Sequence, residues 1–154
     1  MSKTTALLDR LMWLWVLIIG VSVSQIVIWS LDRSPPFRIE SYRIAPVHQG
    51  GAIELDAQVW RDARRECSVT LSNNLYDSRG TRYVIEPPVT LPHGAIAALE
   101  KKPPGRMIRK FPLPDGVALG PASLVSSMSY ICNPLQELFR PISVQEEFAF
   151  EVLM

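Results

Sequence analysis

Ile53-Glu54-Leu55-Asp56-Ala57-Gln58-Val59-Trp60 sets apolar side chains at every second position with charged, polar or aromatic ones between them. A period of two places Ile53, Leu55, Ala57 and Val59 on one face, the signature of a half-buried strand rather than a helix. Gln49-Gly50-Gly51 supplies a turn just before it. Downstream, Cys67, Val69 and Leu71 alternate with Ser68, Thr70 and Ser72, and Asp77-Ser78-Arg79-Gly80 reads as the turn into Arg82-Tyr83-Val84-Ile85. Leu124, Met128, Tyr130 and Cys132 share a strand face, with Ser123, Ser127 and Ser129 mostly opposite. Ile142, Val144, Phe148, Phe150 and Val152 form a closing strand. The chain has 13 prolines; those at Pro87-Pro88, Pro103-Pro104 and from Pro112 to Gly116 exclude long helices there. Short strands at this spacing predict an all-β antiparallel sandwich of about seven strands. One short helix is predicted near residues 94–101, where Ala95, Ile96, Ala98 and Leu99 form a stripe.

Ahead of these strands, Leu11–Leu31 reads LMWLWVLIIGVSVSQIVIWSL without a charge. A helix of that length spans roughly 30 Å, the thickness of a hydrocarbon core. Trp13 and Trp15 near one end and Trp29 near the other suit the membrane interfaces, and Asp9-Arg10 and Asp32-Arg33 close the apolar run. A soluble core helix would be shorter and striped. A cleaved signal peptide ending at Ser22-Val23-Ser24 is the serious alternative, but it would leave Ile26, Val27, Ile28 and Trp29 on the new N-terminus. The organisation expected is a short cytoplasmic tail (1–10), a transmembrane signal anchor (11–31), a Pro-stiffened linker (32–36) and an exported domain (37–154). Gly20 and Ser24, a small pair at i, i+4, and the amide of Gln25 offer a face for helix association.

Positive charge flanks both ends of the anchor and does not orient it. The short N-terminal tail and the pair Cys67 and Cys132 both favour a domain outside the cytoplasm, in a bacterium beyond the inner membrane. Cys67 lies near a strand start and Cys132 at a strand end. If those strands neighbour or face each other, both sulfurs fall at one rim. A disulfide there is the simplest reading and contributes roughly 2–4 kcal/mol; two independent buried thiols are the alternative.

Only Lys3 and Arg10 of 16 basic side chains, and only Asp9 of 15 acidic ones, precede residue 32. The remainder balances, unlike the basic excess of a nucleic-acid binder. His48 and His93 have no ligand at metal spacing. The cysteines are no CxxC pair, there is no P-loop, GxGxxG or GxSxG, and Glu146 and Glu147 point to opposite faces. No catalytic residue, metal or cofactor is expected. Trp60 with Arg61, Arg64 and Arg65 is a candidate partner-binding loop. Glu100-Lys101-Lys102 with Arg106, Arg109 and Lys110 is a second basic cluster. For both, the plainer reading is a solvated face or attraction to anionic headgroups. Leu135, Leu138 and Phe139 read as an apolar loop capping the sandwich.

Tyr130-Ile131-Cys132 has the Tyr-x-Cys spacing of immunoglobulin strands, and the domain resembles an immunoglobulin-like sandwich in pattern. It departs from that family in having no Trp at the expected distance after Cys67. The short anchor, Arg65–Thr70 (RECSVT) and Tyr130–Pro134 (YICNP) together resemble uncharacterised single-pass membrane proteins of bacteria and tailed bacteriophages, a resemblance that covers most of the chain and implies origin rather than activity. The expected function is a non-catalytic, membrane-anchored envelope protein whose sandwich binds a protein or envelope partner. The alternatives are an accessory subunit docked through its helix and a secreted sandwich released by cleavage.

Overall fold

The computed structural model describes residues 3–62, 64–92 and 105–154. Helix α1 (Lys3–Leu31) leads into β1 (Phe37–Ile44), β2 (Val47–His48), β3 (Ala52–Arg61), β4 (Ser68–Tyr76), β5 (Arg82–Leu91), β6 (Arg106–Pro112) and β7 (Gly120–Ile131). The short helix α2 (Pro134–Leu138) then precedes β8 (Ile142–Leu153). The strands form a three-stranded sheet in the order β1-β3-β6 and a five-stranded sheet in the order β2-β8-β7-β4-β5. All pairings are antiparallel except that of the short β2 with β8. The β-rich, two-sheet architecture and the single apolar helix are as the sequence predicts.

Alternation in β3 does what its pattern requires. Ile53, Leu55, Ala57 and Val59 are all buried and meet Leu75, Leu124, Phe148 and Val152 of the facing sheet. A second apolar cluster, nearer α1, joins Val69, Met128, Tyr130 and Ile142. Burial, with the carboxylate of Glu146, pushes the Tyr130 phenol far above its ordinary pKa, and its hydroxyl donates to Met128 Sδ at 3.1 Å. Three of the longer strands depart from the sequence reading. β1 escapes it because a bulge between Ile39 and Ser41 breaks the alternation. β5 runs through Pro87-Pro88 because it is an outer strand, where a missing N–H removes no ladder bond. The segment from Arg106, read as part of a basic cluster, is strand β6, paired along β3 from Ala52↔Pro112 to Gln58↔Arg106. The helix predicted near 94–101, His93 and Glu100-Lys101-Lys102 lie outside the described residues.

Cys67 and Cys132 are joined. They extend the β4–β7 ladder one step past Ser68↔Ile131, with Cα atoms 4.2 Å apart, near the separation of a non-hydrogen-bonded antiparallel pair. The bridge therefore closes one rim of the five-stranded sheet, at the end facing α1.

The far rim is organised by Asp77. Its Oδ1 accepts from the backbone N–H groups of Arg79 and Thr81, and its Oδ2 from that of Ala118, tying the β4–β5 turn to the β6–β7 loop. Burial raises the Asp77 pKa, but these three donors and the Arg79 guanidinium outweigh it and hold the carboxyl at about 2. A carboxyl depressed below its unfolded value of about 3.9 stabilises the fold above that pH and stops doing so as pH falls toward its folded value. Acid titration of the full chain in micelles, followed by near-ultraviolet circular dichroism, is expected to show stability lost between about pH 4 and 2. An Asp77→Asn variant should lose that part of the pH dependence.

Candidate functional site

The joint between α1 and the sandwich gathers polar contacts between distant parts of the chain. Asp32 continues α1 by donating its N–H to Ile28 O at 3.1 Å. Its carboxylate takes the Arg65 guanidinium at 2.5 Å, while Arg65 Nη1 also donates to Ser34 O. Pro36 is buried, and its carbonyl accepts from Asp62 N at 2.9 Å. The predicted linker 32–36 is thus held to the end of β3 and the loop after it.

From the other side, α2 meets the same segment. Asn133 caps it by accepting from Gln136 N at 3.1 Å, and Pro134 opens its first turn. This geometry turns Gln136 inward. Its Nε2 donates to Asp32 O at 2.8 Å, and its Oε1 accepts from Cys132 N at 2.8 Å. Asn133 Nδ2 reaches Trp29 O at 3.4 Å. Gln136→Leu keeps the volume but removes partners from a half-buried N–H and a half-buried carbonyl. We expect the variant to lose about 1–3 kcal/mol in denaturant unfolding of the full chain in micelles.

The turn that buries Gln136 exposes its neighbours. Leu138 and Phe139 are 77% and 81% accessible. The expected apolar cap on the sandwich is therefore not formed by these two; only Leu135 is half-buried. They stand beside α1, where a cavity of about 520 Å³ is lined by Ile26, Trp29, Arg33, Leu135, Phe139 and Arg140.

The loop of Trp60, Arg61, Arg64 and Arg65 comes to this same end, but its members do different things. Arg65 is consumed by the joint. Arg61 lies over the Phe37 ring at 5.8 Å. Trp60, 45% accessible, carries the Arg38 guanidinium at 5.7 Å on the outer face of the smaller sheet. Arg64 is exposed, its backbone N–H on Asp62 Oδ1 at 3.2 Å. The described part of the second basic cluster separates into ion pairs: Arg106 with Asp56, Lys110 with Glu54, and Arg109 with Glu86. The Arg106 guanidinium, hydrogen-bonded to Asp56, holds that carboxyl below its ordinary range.

Arg109 has a second role. With Asn73, whose Nδ2 donates to Glu86 Oε2 at 2.6 Å, it makes a polar bridge from β4 through β5 to β6 across the edge between the sheets. Beside the bridge, among the described residues, an apolar groove of about 490 Å³ runs between the sheets past Ile39, Leu71, Val89, Leu91, Met107 and Met128.

On α1, Trp13 and Trp15 are exposed, and Gly20 has open space where a Cβ would stand. Ser24 Oγ donates back to Gly20 O at 2.9 Å, so its donor is used within the helix. Gln25 is exposed and has no hydrogen bond among the described residues. His48 Nδ1 lies 2.5 Å from Met154 O. No group of three His, Cys, Asp or Glu side chains converges among the described residues.

Sequence reading missed Asp32, Asn133, Gln136 and the Glu86–Arg109 bridge. A signal for α2 was present: Asn133-Pro134-Leu135-Gln136 has the Asn-x-x-Gln spacing of a capping box with Pro at the first helical position. The bridge has no such signal, because its partners come from three strands. Compared with protein-family models and with curated proteins, the chain matches none.

Proposed function

We propose that this chain is a non-catalytic, membrane-anchored protein. In this reading α1 crosses the cell membrane, residues 1–10 remain in the cytosol, and the sandwich outside binds a protein or envelope partner. The observation that carries the reading is that α1 is left uncovered by the sandwich. Leu8–Leu31 is long and apolar enough to cross a membrane, its uncharged run extends from Leu11 to Leu31, and its most apolar stretch is not buried against the sandwich. An uncovered apolar helix of this length finds its solvent in a bilayer. The Cys67–Cys132 bridge supports an oxidising compartment for the domain.

We also read the sandwich as immunoglobulin-like. The order β1-β3-β6 facing β2-β8-β7-β4-β5 parallels strands A-B-E facing A′-G-F-C-C′ of that fold. The bridge departs from the pattern: it joins neighbours in one sheet instead of crossing between sheets. Likeness to single-pass proteins of bacteria and tailed phages belongs to the same reading.

A membrane-impermeant thiol reagent on intact cells tests it. Labelling of Cys67 and Cys132 only after reduction is the expected result. Labelling that needs lysis but no reductant would put the domain in the cytosol and sink the topology. Recovery of a soluble domain lacking α1 would favour cleavage instead. A second reading, an accessory subunit docked through α1, draws support from Gln25, whose amide has no hydrogen bond within the apolar run. Exchange of α1 for an unrelated polyleucine span separates the two. A freestanding binding module keeps its partner, and a docked subunit loses it.

A further inference from the structure

We propose that α2 is a second membrane contact: Leu138 and Phe139 dip into the bilayer interface beside Trp29, and Arg33 and Arg140 hold an anionic phospholipid headgroup between them. The proposal rests on the reading of α1 as a membrane span.

Four observations converge. Leu138 and Phe139 are adjacent large apolar side chains, each more than three-quarters accessible, on a segment too short to bury them itself. Their position relative to α1 is fixed by the bonds from Asn133 to Trp29 and from Gln136 to Asp32. Phe139 also shares a cavity wall with Ile26 and Trp29, so it lies level with the final turns of the apolar run. Whatever depth those turns take, Phe139 takes too. Apolar side chains beside an interfacial Trp belong at the headgroup–acyl boundary.

The charges match that surface. Arg33 and Arg140 line the same cavity, both are exposed, and neither has an ion-pair partner among the described residues. Asp32, next to Arg33 in sequence, is neutralised by Arg65, and Glu137, three residues before Arg140, forms no ion pair among the described residues. Two unpaired guanidiniums over an apolar floor fit a phosphate whose acyl chain runs down α1 past Ile26. Arg64, exposed at the same end of the sandwich, adds to the attraction.

The full chain, with its Cys67–Cys132 bridge intact, would be reconstituted into phosphatidylcholine nanodiscs containing about one-third phosphatidylglycerol. A nitroxide on Phe139→Cys is compared with one on Asp115→Cys, an exposed position at the far rim. Quenching of Trp fluorescence by brominated lipid reports separately on insertion of α1. The expected result is oxygen access and protection from an aqueous nickel chelate at position 139, at a depth of roughly 5–10 Å, with position 115 fully aqueous. A label at 139 as aqueous as at 115, with the tryptophans quenched, would overturn the α2 contact and leave the anchor standing. Aqueous labels at both sites without quenching would overturn both readings. For the headgroup, native mass spectrometry should show phosphatidylglycerol retention falling roughly fivefold for each of Arg33→Gln and Arg140→Gln. Unchanged retention in the double variant, folded by circular dichroism, would overturn the arginine clamp.

Discussion

Reduction of the Cys67–Cys132 bridge is expected to lower the thermal midpoint of the full chain in micelles by roughly 15 °C, from a loss of about 4 kcal/mol spread over a domain of this size. The bridge closes a loop with a sequence separation of 65 that holds β4, β5, β6 and β7. In the reduced unfolded chain that loop is free, and its closure entropy opposes folding. Geometry at the rim adds to the effect, because Cys132 N is bonded to Gln136. Fraying of the β7 end therefore reaches α2. A Cys67→Ser/Cys132→Ser variant scanned with and without reductant checks the expectation. Its midpoint should match that of the reduced wild-type chain and ignore reductant; a midpoint equal to the oxidised protein's would show that the bridge constrains nothing.

Phe148→Ala should cost about 3–5 kcal/mol, the range for removing a fully buried aromatic ring. Phe148 is 1% exposed and points from β8 into the main core, opposite Leu124 in the β7 register. Its ring also meets Tyr42 edge-on, with centroids 4.9 Å apart, and the Tyr42 hydroxyl accepts from Ala149 N at 3.3 Å. One side chain thus fills the core and anchors β1 of the smaller sheet to β8 of the larger one. Denaturant unfolding of the full chain should show the loss, with Phe148→Leu intermediate. The two losses together approach the whole stability of an ordinary domain, so Phe148→Ala in reductant should be unfolded at room temperature. A folded signal under those conditions would contradict both estimates.

Strands that bury one face were legible from their period: β3, the start of β4, β7 and β8 stand where alternation puts them. The disulfide was legible for a related reason, since both cysteines fall at the ends of such strands. β1 was hidden by its bulge, β5 in part by its prolines, and β6 by outward charges that looked like a basic cluster until Asp56, Glu54 and Glu86 came opposite them. At the candidate site, local spacing drew attention to the Trp60–Arg65 loop as a partner-binding surface but could not divide the roles of its members. Whether Arg65 serves a partner or the joint depends on Asp32, more than thirty residues away, and only tertiary structure decides it. Leu138 and Phe139 were read as a cap because apolar residues near a strand end usually cover a core. The N-cap at Asn133 turned the chain so that Gln136 took the inward place.

The joint at Asp32 also has a mechanical consequence. A domain on a slack tether sweeps a hemisphere above its anchor and meets partners at many heights and headings. Here Arg65, Gln136 and Asn133 grip the last turn of α1 and the residue after it from two sides, which makes a welded post of helix and sandwich. Strands of β8's length place the Asp77 rim roughly 40 Å from the joint. Any rotation of α1 about its own axis, including one imposed by pairing through the Gly20 and Ser24 face, turns that rim through the same angle.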